Sequence, residues 1–436
     1  MVDILPFRGV RYDTAKAGAG LEVLAAPPYD VISPAEQDAL YAKHPANVVR
    51  LILGREDNKY DQAAFLFREW LAAGTLTAEE VPAFYVYRQT FDDPATGQPF
   101  PERLGLVCLL KLEDYSTGNV LPHEKTLSGP KADRLELLRT TNAQFESIYG
   151  LFSDPDNAVR SFIQEYDDRE SVRERVDGLL GSTHKIERIT DSDGQAVLQE
   201  LMADKAVFIA DGHHRYETAL TYQREVRAAH PGGSPQAADY ILITLTAFED
   251  EGLLVLPTHR MVRSVPPEQI AALTSALAEN FTLSPGSADT IDAEIAAQAA
   301  LGNTAFGIVL PPGKVQLAVL NTAHPAEATA VSRLPVSQLG ALILDDCLGI
   351  SAEMVTAGEH VSYTREIAEA VAAVERGDAQ VSFLLGRPTV EEIKEVSLAG
   401  DVMPQKSTFF YPKLLSGLVL RDLTLDQADL DAAAAS

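Results

Sequence analysis

The run Asp211–Arg215, with the sequence DGHHR, brings an acid, two imidazoles and a guanidinium together near the middle of the chain. The apolar segment Ala206–Ala210 precedes it and the helical pattern of Tyr216–Ala229 follows, so the run is predicted to join a buried strand to a helix. Such a turn presents backbone N–H groups at the positive end of a helix dipole, which together attract phosphate. Gly212 lets the backbone approach a ligand closely, and Arg215 can bind an oxyanion through two N–H groups. The sequence therefore indicates an anion-binding turn.

The remaining side chains of this turn are candidates for catalysis. His213 and His214 can donate hydrogen bonds, bind a metal or relay a proton, and Asp211 is expected to bind a metal or to orient His213. Two alternatives stay open. In one, Asp211 and both histidines form a metal site, although adjacent histidines in a turn seldom reach the same ion. In the other, Asp211 caps the helix, the histidines bond to buried carbonyls and Arg215 forms a surface ion pair.

A second polar cluster, with the sequence HEKT, is expected in a loop that basic residues follow closely. If the anion bound at the turn is a phosphate that is transferred to a hydroxyl, the protein must supply positive groups around the phosphoryl oxygens, usually with Mg²⁺, and an acceptor for the hydroxyl proton. Glu124 is expected to be this base and, with Asp211, a magnesium ligand. The residues assigned to phosphate binding in this region are His123, Lys125, Thr126, Lys131 and Arg134. A solvated charged loop is the alternative interpretation.

The segment Met403–Lys413 contains two prolines, which favour a loop or an extended conformation. Such a segment can contact phosphates or close over a substrate. The residues assigned to donor binding in it are Lys406, Ser407, Thr408 and Lys413. Its aromatic residues fit a role in the core equally well, so a scaffold function stays open.

Further candidates for substrate binding lie elsewhere in the chain. Tyr29, Asp30 and Asn47 could contact charged and hydroxyl groups of a small substrate. His259 and Arg260 follow an apolar run, and strand ends gather at the active site of many α/β folds. A surface turn is the alternative for these last two residues.

These motifs must be positioned by strands and helices that alternate along the chain. Segments rich in β-branched and aromatic residues predict strands at Val48–Leu53, Ala83–Phe91, Leu104–Leu112, Ala206–Ala210 and Tyr240–Phe248. Helices are predicted at Pro34–Lys43, Tyr60–Ala73, Asp133–Thr141, Tyr216–Ala229 and Ile367–Arg376. The pattern predicts an α/β protein with a mixed sheet.

Loops and prolines divide the sequence into three regions. Residues 1–150 contain the HEKT loop, residues 151–265 the DGHHR turn, and residues 266–436 the KST segment. Pro266–Ala330 is expected to be scaffold, and the low-complexity tail Leu430–Ser436 is expected to be disordered. We expect the C-terminal part to fold back, so that the three motifs converge on one cleft.

Composition limits the classes of partner. The chain has 36 basic and 63 acidic side chains and a formal net charge of −27, which opposes binding to nucleic acid. The sequence shows neither a secretory signal nor an apolar segment long enough to span a bilayer, so a cytoplasmic protein without membrane contact is expected. The nucleotide-binding motifs GxxxxGK[ST] and GxGxxG are absent. A homodimer is left open.

The segment Ile209–Leu220 resembles the signature of a widespread microbial family known as domain of unknown function 1015. Other blocks similar to this family are PFRGVRYD (Pro6–Asp13), APPYDVIS (Ala26–Ser33), NVVRLILG (Asn47–Gly54), PHEKT (Pro122–Thr126) and MPQKSTFFYPKLLSG (Met403–Gly417). The resemblance covers nearly the whole chain.

The DGHHR turn also resembles, more distantly, the phosphate-binding turn of the ParB and sulfiredoxin superfamily, in which a Gly-x-x-Arg segment at a helix start grips a nucleotide phosphate. That superfamily includes kinases of free L-serine, and members of the present family are similar to serine kinases, some of which use pyrophosphate. The resemblance implies a ParB/sulfiredoxin-like core with additional α+β scaffold. It also implies a phosphotransferase that phosphorylates a small hydroxylated metabolite, free L-serine, from a nucleotide or pyrophosphate. A phosphoserine phosphatase or reverse kinase, and a non-catalytic sensor of a phosphorylated ligand, are the alternatives.

Overall fold

The structure is a computed structural model that describes residues 2–124, 129–166, 174–179, 181–321 and 328–435. Its strands are β1 Ile4–Leu5, β2 Val10–Tyr12, β3 Leu76–Ala78, β4 Phe84–Phe91, β5 Arg103–Lys111, β6 Val120–Pro122, β7 Ala143–Gln144, β8 Ile148–Phe152, β9 Glu174–Leu179, β10 Ser182–Ile189, β11 Val207–Asp211, β12 Tyr240–Ala247, β13 Leu254–Leu256, β14 His259–Val262, β15 Phe281–Pro285, β16 Ala305–Leu310, β17 Lys314–Leu320, β18 Val361–Thr364, β19 Val381–Leu384, β20 Phe409–Tyr411 and β21 Arg421–Asp422.

The α-helices are α1 Thr14–Ala17, α2 Leu21–Leu24, α3 Pro34–Lys43, α4 Val49–Ile52, α5 Lys59–Ala73, α6 Gly129–Thr141, α7 Ala158–Tyr166, α8 Ser192–Ala203, α9 His213–Ala229, α10 Pro267–Asn280, α11 Ile291–Ala300, α12 Ala330–Arg333, α13 Pro335–Gln338, α14 Ala352–Ala357, α15 Ile367–Arg376, α16 Val390–Leu398 and α17 Leu423–Ala435. Short 3-10 helices occupy Tyr29–Val31, Tyr115–Thr117 and Ala237–Asp239, and Leu339–Asp345 is π-helical. Within the described ranges, none of the helices combines the length and the hydropathy that crossing a membrane requires.

The chain divides into two compact units. The first unit comprises Met1–Pro122, Thr126–Leu254 and Pro412–Ser436, and the second comprises His123–Lys125 and Val255–Tyr411. This division differs from the three regions that the sequence suggested. Residue 150 lies inside β8, a strand with neighbours on both sides. The C-terminal segment does fold back, because it belongs to the first unit.

The first unit is built on a mixed sheet with the strand order β6-β11-β8-β12-β5-β4-β10-β9, in which β1 also pairs with β5. The pairs β11–β6 and β12–β8 are parallel, whereas β5 pairs antiparallel with both β12 and β4. Alternate residues of these strands enter different cores: Tyr85 and Tyr87 of β4 pack on one face, and Phe84 and Val86 on the other. Apolar packing on both faces explains the continuous apolar runs in the sequence. The predicted α/β fold with a mixed sheet is confirmed.

The second unit contains a separate sheet with the strand order β15-β17-β16-β19-β14-β18. Every pairing in this sheet is antiparallel within the described ranges. Residues of α10 form one hydrophobic core with this sheet, and residues of α11 and α15 form another. Pro266–Ala330, expected to be scaffold, supplies three strands and two helices of this unit within the described ranges.

Two local predictions were wrong. Val48–Leu53, predicted as a strand, contains helix α4, and Asn47 Oδ1 just before it accepts a hydrogen bond from Val49 N (2.9 Å). A local side-chain bond of this kind favours a turn over the strand preference of a short β-branched run. The tail expected to be disordered continues helix α17 as far as Ala435, in keeping with the high helix propensity of alanine.

Candidate active site

The predicted strand-to-helix turn lies at Gly212, between the end of β11 and the start of α9. The helix begins at His213, three residues earlier than the sequence suggested, so His213, His214 and Arg215 form its first turn. Gly212 has φ +87°, and a Cβ there would lie 2.8 Å from Ile148 Cγ2. Only glycine fits this position without strain. Because Gly212 has no side chain, the first-turn N–H groups of α9 receive no side-chain cap from it.

Asp211 holds two cationic side chains at this turn. Its Oδ1 accepts a hydrogen bond from Lys413 Nζ (2.7 Å), and its Oδ2 accepts one from Arg215 Nη2 (3.2 Å). Burial alone would raise the pKa of Asp211, but the charges of Lys413 and Arg215 outweigh it and hold this pKa well below its ordinary value. Asp211 is therefore a carboxylate that fixes two positive groups beside a helix N-terminus.

A buried polar network fixes the backbone that carries Lys413. Gln89 Nε2 donates to the Lys413 carbonyl (3.3 Å), and the Arg103 guanidinium donates to the carbonyl of Pro412. Arg103 Nε also donates to Gln89 Oε1 (3.0 Å), so the two side chains that hold the backbone at Pro412 and Lys413 are bonded to each other. Because Arg103 is only 1% exposed, this network is part of the fold. It explains how a residue 202 positions away along the chain reaches Asp211.

Glu146 is a member of this site that the sequence did not reveal. β8 pairs antiparallel with β11, with Tyr149 opposite Asp211, so the residues just before β8 lie beside the start of α9. Arg215 Nη1 accordingly donates to Ser147 O (2.9 Å). Glu146 is 7% exposed, and its charge contributes to a raised pKa of Arg215 against the opposing effect of burial. Its only sequence signal is an acid two residues before the apolar run Ile148–Phe152.

The predicted substrate residues Tyr29 and Asp30 join the same site. Tyr29 N donates to Glu146 Oε1 (3.0 Å), and the Arg134 guanidinium lies over the Tyr29 ring, 4.1 Å from its centroid. Burial raises the pKa of Tyr29 to about 12, with an opposing effect from Arg215 and a further rise from Asp30. Residues from the N-terminal region and from α6 therefore lie near Arg215, while substrate binding by Tyr29 and Asp30 and phosphate binding by Arg134 stay predictions.

Two other candidates in the first unit have structural partners. Asn47 is fully buried, and its Nδ2 donates to Val23 O (2.7 Å) and Ala25 O (3.2 Å), so it holds backbone segments together. This assigns Asn47 to the scaffold rather than to a substrate contact. Lys131 forms an ion pair with Glu217 of α9.

The second unit contains the other predicted cluster. His123 is 1% exposed and its Nε2 lies 2.8 Å from Thr408 Oγ1. Glu124 Oε1 accepts a hydrogen bond from Lys406 N (3.1 Å), and Lys406 has φ +56°. The HEKT and KST motifs, distant in sequence, are therefore neighbours, as predicted. Lys125 and Thr126 lie outside the described residues.

Arg260 and His259 lie in the interior of the second unit, so the alternative of a surface turn was wrong. Arg260 Nη2 donates to Lys406 O (3.3 Å), and burial lowers the pKa of Arg260 to about 10, an effect that Tyr363 and Glu124 oppose. His259 Nδ1 accepts a hydrogen bond from Leu385 N (3.2 Å), and burial lowers the pKa of His259 to about 4. The remaining KST residue, Ser407, donates to the Pro404 carbonyl. Convergence of this cluster and the DGHHR turn on one cleft stays a prediction.

Magnesium has no preformed protein cage among the described residues, where no group of three or more His, Cys, Asp or Glu side chains is arranged to hold an ion. Both oxygens of Asp211 already accept hydrogen bonds from Lys413 and Arg215. Magnesium binding by Asp211 and Glu124 stays a prediction, and Mg²⁺ often binds through substrate phosphates with only one or two carboxylates.

The Asp133 carboxylate beside Arg134 gives a testable pH dependence. Burial would raise the pKa of Asp133, but Arg134 and Lys59 lower it to about 2. Because the folded pKa is depressed, this stabilisation is present above the unfolded pKa near 4 and is lost as the pH falls through 2. We expect Asp133→Asn to lower the free energy of unfolding by about 1 kcal/mol at pH 7, since partial exposure screens the charges. Urea unfolding between pH 7 and pH 3 should show the gap closing in acid, whereas Asp57→Asn, at an exposed position, should show none.

Comparisons with known proteins place this geometry in a wider context. The model of a protein family described as "Protein of unknown function (DUF1015)" matches residues 4–340. No curated protein sequence matches the chain.

Several solved structures are similar to the chain at low identity. A conserved hypothetical protein from Pyrococcus furiosus is 15% identical, with 74% of this chain and 97% of that chain covered and a TM-score of 0.37. A free serine kinase in complex with AMP is 13% identical, with 74% and 93% covered and a TM-score of 0.39. SbnI with a C-terminal truncation, from Staphylococcus aureus, is 10% identical, with 75% and 93% covered and a TM-score of 0.38.

Proposed function

This chain belongs to the family of proteins of unknown function DUF1015, and we propose that it is a phosphotransferase acting on the hydroxyl group of a small metabolite. The proposed acceptor is free L-serine, and the donor is a nucleotide or pyrophosphate. The acceptor and the donor class come from the resemblance of the DGHHR turn to the phosphate-binding turn of the superfamily that includes free serine kinases. The roles in the transfer step are proposed from the chain's own residues.

One observation carries the proposal: Arg215 and Lys413 are held side by side by Asp211 at the start of α9. Both side chains are nearly buried, at 12% and 10% exposure, so their charges are screened less than surface charges are. First-turn N–H groups and the helix dipole add positive potential at the same place. A donor phosphate bound there would gain charge-assisted hydrogen bonds from preorganised groups, which is the main protein contribution to phosphoryl transfer.

In the proposed step, the serine hydroxyl oxygen forms a bond to the terminal phosphorus of the donor while the bridging P–O bond breaks. The hydroxyl proton passes to a carboxylate, and the leaving group is the nucleotide shortened by one phosphate, or phosphate from pyrophosphate. Arg215, Lys413 and the first turn of α9 would stabilise the charge on the phosphoryl oxygens. We propose that Mg²⁺ enters as the complex of the donor phosphates.

Glu124 is the proposed proton acceptor, and its role gives a second prediction. We expect Glu124→Gln to lower kcat by about 10²-fold or more, because general base catalysis contributes on that scale, with little change in the KM for serine. Glu268→Gln, an exposed acid in the first turn of α10, is the matched control and should retain parental kcat. Equal kcat for Glu124→Gln and the parent would remove Glu124 from the mechanism.

The proposal is tested by incubating the purified protein with L-serine, MgCl₂ and either ATP, ADP or pyrophosphate, and following phosphoserine by phosphorus NMR. Phosphoserine should form with at least one donor, and excess EDTA should stop its formation. Reaction of phosphoserine with ADP or phosphate as acceptor would identify a reverse kinase, and hydrolysis without an acceptor a phosphatase. A folded protein that forms no phosphoserine with any donor, yet binds a phosphorylated ligand, would contradict the proposal in favour of a sensor.

A further inference from the structure

A small cavity of about 60 Å³ lies in the first unit beside the start of α9. Its polar wall is formed by Arg134, Glu146 and Arg215, and its apolar wall includes Ile148 and Ala219. A single water occupies roughly 10–15 Å³ by this measure, so the cavity accommodates only a few non-hydrogen groups. This size suits a small metabolite and is too small to enclose a nucleotide.

Glu146 brings a nearly buried carboxylate to this cavity. Its Oε1 accepts hydrogen bonds from Tyr29 N (3.0 Å) and from Ser416 Oγ (3.1 Å). Its Oε2 is 3.8 Å from Arg134 Nη1, which is beyond hydrogen-bond distance, and has no hydrogen bond within the described part of the chain. The Glu146 side chain is 7% exposed, and a carboxylate this little exposed normally accepts hydrogen bonds at both of its oxygens. The Oε2 atom therefore points to a ligand that donates, and the charge of Glu146 favours a cation.

Arg134 brings the opposite charge to the same wall. Three of its donor positions are used by Asp133 and by Ile52 O, which fixes the orientation of the guanidinium. A guanidinium has five N–H groups, so donors remain for a ligand carboxylate. The separation of 3.8 Å between Arg134 Nη1 and Glu146 Oε2 sets one cation and one anion side by side without a direct hydrogen bond. A ligand with adjacent positive and negative groups would complement both.

We infer that this cavity binds the α-ammonium and α-carboxylate groups of an amino acid, with Glu146 receiving the ammonium and Arg134 the carboxylate. The inference rests on the proposed function and names the class of its acceptor: an α-amino acid small enough for the cavity, rather than a hydroxy acid or an amino alcohol. Arg215, which lines the cavity and also contacts Asp211, would lie between this acceptor site and the donor phosphate.

Binding measurements on the full chain test this inference independently of turnover. By isothermal titration calorimetry, the parent should bind L-serine about tenfold or more tightly than glycerate, which lacks the ammonium, or ethanolamine, which lacks the carboxylate. Glu146→Gln preserves shape and an acceptor for Tyr29 N, so it should fold and lose about tenfold or more in serine affinity while its affinity for glycerate changes little. Glu136→Gln, at an exposed position on α6, is the matched control.

A second pair of variants tests the position of the site. Ala219→Val adds two methyl groups at the cavity wall and should abolish serine binding, whereas Ala228→Val makes the same change at an exposed position of α9 and should not. Donor binding should survive in both variants.

The outcomes separate this inference from the proposed function. Serine affinity that is undetectable in the parent, or unchanged in both Glu146→Gln and Ala219→Val, overturns the inference even where phosphoserine forms. Serine binding that depends on these two residues supports the inference even if no donor yields phosphoserine, and in that case only the proposed function fails.

Discussion

The Arg215→Lys variant is expected to lose about 10²-fold or more in kcat/KM for phosphoryl transfer, because removing one preorganised donor to an oxyanion costs this much. Lysine preserves the charge but has three N–H donors, so contacts to Ser147 O and Asp211 would leave at most one for a phosphate. The loss should fall mainly on kcat, since the donor phosphate gains most of its charge interaction in the transition state. Steady-state kinetics with a saturating donor measures this effect.

Arg224→Lys is the matched control, because it makes the same change on the same helix. Arg224 is 66% exposed and forms a surface ion pair with Asp114 (3.3 Å). Its kcat/KM should equal that of the parent within experimental error. An Arg215→Lys variant as active as Arg224→Lys would mean that the start of α9 does not hold the phosphoryl group.

Asp211→Asn should produce the largest change in stability. The amide cannot balance Lys413 and Arg215, and leaving nearly buried cations without their counter-charge costs up to 3–5 kcal/mol. Because the Asp211 side chain is 22% exposed, we expect about 2 kcal/mol at pH 7. The pKa of Asp211 is lower in the folded state than in the unfolded chain. The stabilisation is therefore complete above the unfolded pKa near 4 and declines in acid, where parent and variant should converge.

A double-mutant cycle measures the interaction between Asp211 and Lys413, on which the proposed function depends. Asp211→Asn and Lys413→Gln, alone and combined, should give a coupling energy of about 1–2 kcal/mol in urea unfolding. The exposed pair Asp3 and Lys111, separated by 3.8 Å, should give a coupling near zero by the same cycle. Zero coupling between Asp211 and Lys413 would show that Asp211 does not hold Lys413 at the turn.

The sequence predicted the fold where the pattern was long and consistent. Helix α3 and helix α15 have the predicted bounds, and β4 and β12 differ from prediction by one residue at one end. The failure at Val48–Leu53 has a local cause, since the Asn47 side chain bonds to the backbone at Val49, where a short helix begins. Helix α9 begins earlier than predicted, because the prediction assigned His213 and His214 to the turn before the helix.

The site was predicted to the extent that its residues lie within recognisable motifs. Asp211, Arg215 and Lys413 were all selected from sequence, and the structure brings them together. Glu146 was missed because its position depends on the antiparallel register of β8 and β11, which no local pattern encodes. The order of strands in the sheet sets such neighbours, and sequence periodicity alone does not determine that order.

The central claim is that the first turn of α9 holds the phosphate of the donor. Its most direct test is a crystal structure of the full chain with imidodiphosphate, a non-hydrolysable analogue of pyrophosphate, and L-serine. We predict phosphate oxygens within about 3 Å of the Arg215 guanidinium and of backbone N–H groups in the first turn of α9. A phosphate bound elsewhere in the protein, with the turn at Gly212 making no contact to it, would contradict this claim.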